Sequence, residues 1–202
     1  MLNLCQKVRV MRKLFGESIL ANLLFKISSM RIFLRMKHWQ LFMITWGIPI
    51  VMSFFTMGNP RLIVTFGIYQ TILFALGTFA WIWAIGSVLH EKLPAGVSLN
   101  ITLFRIMLGI PAAYLIGISI WIMKPGIFGS GDSTALMLAI VLLHLAAMAG
   151  IFLGMRFAAK TMKTIELGRV AKLRDYLPEL MLIWFMPIGV WLLQPRLNKL
   201  TS

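Results

Sequence analysis

Thr134-Ala-Leu-Met-Leu-Ala-Ile-Val-Leu-Leu-His144-Leu-Ala-Ala-Met-Ala-Gly150-Ile-Phe-Leu-Gly154-Met155 carries no formal charge over its whole length. As a helix it rises about 33 Å, enough to cross a hydrocarbon core of about 30 Å. Four more apolar runs lie along the chain, giving candidate spans at 40 to 58, 62 to 89, 102 to 123, 134 to 156 and 179 to 195. Gly58-Asn59-Pro60 is a tight turn that pairs the first two as a hairpin. Residues 90 to 100, with Pro94 and Gly96, and the glycine-rich stretch 124 to 133 make the next two connections.

Composition agrees with that reading. The chain is 59% hydrophobic and 13% charged, against about 25% charged in soluble domains. Only structures that satisfy their own backbone hydrogen bonds span lipid. The fold class is therefore all-α, a polytopic transmembrane helix bundle of about five spans forming one domain over 40 to 202. Residues 1 to 39 form a separate basic segment in which Leu14, Phe15, Ile19, Leu23, Ile27, Met30 and Leu34 recur at helical spacing between basic residues. That pattern predicts a helix lying on the membrane surface. No signal peptide opens the segment, and Cys5 reads as a free thiol.

Twenty Lys and Arg against six Asp and Glu give a net charge of +14. In a spanning chain that excess suits the anionic inner-leaflet lipids as partners rather than nucleic acid. Sixteen of the twenty fall in the N-terminal region and the second and fourth connections. Cytoplasmic loops carry such an excess, so the N-terminus is placed inside. The fifth run either crosses, or re-enters and returns Arg196 and Lys199 to the inner side. Its near-spanning length and the flanking Trp184 and Trp191 favour crossing. The fourth connection carries a stripe of Phe157, Met162, Ile165, Val170, Leu173 and Leu177 with basic residues off it, which predicts a second surface helix. Candidate lipid-headgroup contacts are Arg105, Lys160, Lys163, Arg169 and Lys172.

Pro49, Pro111 and Pro187 each sit with a glycine near the middle of a run. Each removes a helical hydrogen bond, so three bends are expected near the midplane. His144 is the one titratable side chain at that depth and forms with these prolines a candidate midplane site. A structural role, with the imidazole bonded to a freed carbonyl, competes with that reading. Residues 41 to 49 match residues 103 to 111 at six of nine positions, yet spans two and four share no such match, so chance similarity explains the pair. Small residues recur every four positions at Ala146, Gly150, Gly154 and Ala158 and at Gly109, Ala113 and Gly117, as close-packing faces.

The six acids lie at helix ends or in connections, with no spacing suited to paired carboxylates or a metal site. No catalytic residue, metal ligand or cofactor is expected. The C-terminal Trp184-Phe185-Met186-Pro187-Ile188-Gly189-Val190-Trp191, with Gln194-Pro195-Arg196-Leu197-Asn198, resembles the ending of small uncharacterised bacterial multi-spanning inner-membrane proteins; Lys37-His38-Trp39-Gln40 is similar to their start. The resemblance implies a bacterial cytoplasmic membrane and no particular activity. The resulting expectation is a non-catalytic subunit or accessory protein that meets a membrane-protein partner or a second copy. The alternative is a small transporter or a lipid- or ligand-binding protein.

Overall fold

A computed structural model describes residues 32 to 122 and 134 to 201. The predicted N-terminal surface helix lies almost wholly outside the described residues. Among the described residues a helical turn at 32–35 is followed by α1 His38–Thr56, α2 Pro60–His90, α3 Ile101–Ile122, α4 Thr134–Leu167, α5 Leu173–Trp184 and α6 Met186–Thr201. Side chains that accept from exposed backbone N–H groups set several starts. Asn59 Oδ1 accepts from Leu62 at 3.4 Å, Asn100 Oδ1 from Leu103 at 3.0 Å and Asp175 Oδ2 from Lys172 at 2.9 Å. Gly168, at φ 66, ends α4 in the left-handed conformation that glycine adopts freely.

Four of these helices are long and apolar enough to span a membrane. The chain is an all-α membrane protein. α2 is the central strut, packed against α1, α3, α4 and α6. Its spanning window is 56% buried, against 11% for α4. Trp81, Ile82, Ala84, Ile85 and Leu89 of α2 are fully enclosed.

α4 runs on well past the expected end at 156, because no helix breaker occurs before Gly168. The expected surface stripe is consequently divided. Met162 is buried against the bundle, whereas Val170, Leu173 and Leu177 are exposed. The small-residue face of α4 is used within the fold. A Cβ at Gly150 would stand 2.6 Å from the Met107 carbonyl oxygen and 2.9 Å from the Pro111 ring, so α3 and α4 meet backbone to backbone there. On α3, by contrast, nothing lies within 4 Å of a Cβ at Gly109 or Gly117.

The fifth run, 179 to 195, does not cross, which corrects the expectation of a fifth span. The helix ends at Trp184, Phe185 leaves helical geometry at φ −88 and ψ 59, and a new helix starts at Met186. Glu179 Oε1 and Arg196 Nη2 then meet at 2.8 Å. In one straight helix these residues would stand about 25 Å apart. α5 and α6 are a re-entrant hairpin. α5 descends beside α4, from Lys163 and Glu179 at the base to Phe152 and Trp184 near the tip. α6 returns along α2, from Thr78 and Met186 to Lys92, whose Nζ donates to the Leu200 carbonyl at 2.6 Å. The end of α6 thus lies at the same end as the last residues of α2 and α4.

Local chemistry explains the reversal. Gly189 lies so close to the Leu182 carbonyl that no Cβ fits between them. Pro187 occupies the first turn of α6, where its missing N–H costs nothing. The bend expected at Pro187 is therefore a complete turn. At Pro49 the helix widens instead into a π-type turn, Met43–Gly47, and the Ile48 N–H reaches back five residues to Met43. Pro111 stays inside a continuous α3, so the locally similar segments 41 to 49 and 103 to 111 adopt different backbones.

Two outcomes follow. Gly150→Ala should destabilise the protein by about 1–3 kcal/mol, read as a lower thermal midpoint in detergent, while Gly109→Ala leaves it within about 0.5 kcal/mol. In a Cys5→Ser background, single cysteines at Lys172 and Lys199 should react with a membrane-impermeant reagent from the same side; labelling from opposite sides would mean that the hairpin crosses.

Candidate functional site

The base of the hairpin gathers four charged side chains from three helices. Arg196 reaches both Glu166, at 2.7 Å, and Glu179, at 2.8 Å. Lys163 bridges the same two carboxylates at 3.1 and 3.2 Å. Two acids thereby balance two bases. Glu179 is only 3% exposed. Burial opposes its charged form, but hydrogen bonds from Arg196 and Lys163 outweigh that and hold its carboxyl below the ordinary range. Its Oε2 has no partner among the described residues. Beside this cluster, the Lys172 backbone N–H and the Arg169 guanidinium hold Asp175 low as well.

A second polar anchor is Gln194, which is fully buried on α6. Its Nε2 donates to the carbonyls of Phe33 and Met36 at 2.7 and 3.0 Å, and its Oε1 accepts from Trp81 Nε1 at 2.9 Å. One amide thus satisfies carbonyls where the chain enters the bundle and ties that entry to both α2 and α6. Trp191, one turn earlier, packs its ring on His38 at 4.5 Å and on Phe42 at 5.9 Å.

The expected site residues are distributed differently. Lys163 and Arg169 are committed to carboxylates. Arg105 and Lys172 are exposed and Lys160 is half-buried. His144 faces outward near the middle of its apolar run, and its Nδ1 lies 3.2 Å from the Tyr114 hydroxyl. Its Nε2 has no partner among the described residues. The three prolines fall in three neighbourhoods: the Pro49 carbonyl accepts from Gln70 at 3.1 Å, Pro111 lies under Gly150, and Pro187 forms the hairpin turn. His38 and His90 are held apart, His38 on Trp191 and His90 on the Leu99 carbonyl at 2.8 Å.

Two cavities were not foreseen from the sequence. One, of about 260 Å³, lies between the starting half of α3 and the final half of α4, with Arg156 and Lys160 along an otherwise mainly apolar wall. The other, of about 160 Å³, sits under the hairpin tip among Trp46, Thr78, Ile183 and Met186. The Trp46 indole N–H is buried there without a partner among the described residues. The sequence signal for the first was the pair Arg156 and Lys160, one turn apart. The second depends on the hairpin and had none.

No family model matches the chain, and neither a curated protein nor a solved structure matches it.

Because Asp175 and Glu179 are held below their ordinary values, they stabilise the fold above the ordinary carboxylate range, and that contribution is lost as pH falls through it and below. Melting midpoints in detergent should therefore fall below about pH 5. Arg196→Met should cost about 1–3 kcal/mol at neutral pH, less than a fully buried pair would because 37% of the Arg196 side chain is exposed.

Proposed function

We propose that this membrane protein is a non-catalytic subunit or accessory protein of a bacterial cytoplasmic membrane, held to a helix of a partner membrane protein on the outer face of α3 and α4. One observation carries the reading. His144 and Tyr114 form a polar pair on that outer face, with the imidazole Nε2 left without a partner among the described residues. Intramembrane ionisable groups almost always face a bundle interior or a cavity. An unsatisfied polar group in hydrocarbon costs several kcal/mol, and a hydrogen bond from an apposed helix removes that cost. The exposed notch of α3 at Gly109, Ala113 and Gly117, beside Tyr114, admits a close approach.

The charge distribution supports an orientation. With the hairpin returning to its starting side, eighteen of the twenty Lys and Arg belong to one side by connectivity, leaving Arg61 and Lys124 for the other. The positive-inside rule makes the first side cytoplasmic. Ligand binding is the second reading, favoured by the cavity under the hairpin tip and by the Trp46 N–H, which has no partner among the described residues, rather than by His144.

The test is native mass spectrometry of protein extracted gently from its host membranes. A stoichiometric protein partner is expected, retained about tenfold less by His144→Phe, as for the loss of an interhelical hydrogen bond of about 1–2 kcal/mol, with an unchanged melting midpoint. Wild type and variant carrying lipid alone would overturn the subunit reading, and a defined small molecule in their place would favour the second.

A further inference from the structure

We propose that the groove between α3 and α4 is a binding site for an anionic phospholipid, with the phosphate on Arg156 and Lys160 and the upper acyl chain along Leu103, Met107, Leu153 and Phe157. This site is separate from the His144 face, and the proposal does not rest on the partner reading. The cavity holds about 260 Å³, below the range of about 300–1,000 Å³ usual for whole small-molecule ligands. Leu103 and Leu153 are 51% and 41% exposed, so the groove is open along its side to the bilayer. That shape suits one end of a long amphiphile that remains partly in the membrane.

Charge identifies the headgroup. Lys163, Arg169 and Arg196 of the same end are neutralised by carboxylates. Arg156 and Lys160 have no carboxylate partner among the described residues. They lie one turn apart on α4 and both line the groove. Arg156 is also prepositioned: its Nε donates to the hydroxyl of the buried Tyr176 at 2.9 Å, which spends one guanidinium donor and leaves the terminal nitrogens for a phosphate. Basic pockets between membrane helices at the cytoplasmic level recognise anionic headgroups, and a zwitterionic headgroup would bring its own cation to the two bases. Phe157 is fixed behind them by stacking on Phe104 at 4.5 Å, and Phe104 has room because Gly86 carries no side chain where its ring lies. The groove is thus a preformed wall.

The experiment uses the full chain reconstituted with phosphatidylglycerol, with phosphatidylcholine, or with phosphatidylglycerol plus millimolar inorganic phosphate, and reads retained lipid by native mass spectrometry. Phosphatidylglycerol should be retained preferentially. Lys160→Gln, which breaks no bond among the described residues, should weaken that preference about fivefold. Leu153→Trp, which fills the groove from the exposed side, should abolish retention without lowering the melting midpoint. Equal retention of both lipids, or an unchanged preference in the two variants, would overturn the proposal. Displacement of the lipid by inorganic phosphate alone would overturn it too, by assigning the two bases to a free anion.

Discussion

The contact between Glu179 and Arg196 decides the shape of the second half of this protein. Charges of opposite sign at the two ends of one apolar run can meet only if the run folds back, and a buried carboxylate with its bases removed would be costly. Once Arg196 and Lys163 hold Glu179, α5 must lie beside α4 and α6 must return beside α2. Gly189 and Pro187 allow the reversal at the cost of no side-chain packing. From this one constraint follow the common end shared by the last turns of α2, α4 and α6, the enclosure of Trp81 and Gln194, and the cavity beneath the tip.

Around that hairpin the bundle is unequal. α2 is enclosed on most sides, while α4 and α3 turn most of their spanning surface outward. A helix in that position meets lipid with apolar side chains at little cost, so the exposure of Leu138, Leu142 and Leu145 is ordinary. The His144 and Tyr114 pair stands out against that background, as do two bases beside an apolar groove that have no carboxylate partner among the described residues. Both features belong to the α3 and α4 side, one at mid-depth and the other at the charged end.

The two quoted end motifs are explained by the same packing. His38 meets Trp191, Gln40 accepts from the Lys37 N–H, Gln194 takes the carbonyls just before them, and Arg196 closes the ion cluster. Segments separated by about 150 residues in the sequence thus form one latch between the entry of the first span and the hairpin. Asp175 and Glu179 serve in capping and ion pairing.

The sequence by itself determined the solvent, the helical class and the first four spans. An uncharged run of this length has one favourable environment, and backbone satisfaction in lipid leaves a helix as the simplest outcome. It also marked Lys160 as a headgroup candidate, and for the fifth run it weighed crossing against re-entry and favoured crossing. Tertiary structure alone decided that question, because hydropathy reports how apolar a segment is and not whether its ends are joined by an ion pair. For the same reason the outward direction of His144, the groove beside Arg156 and the role of Gln194 were illegible: each depends on which helix lies alongside, a relation between residues up to about 160 positions apart that no local pattern records.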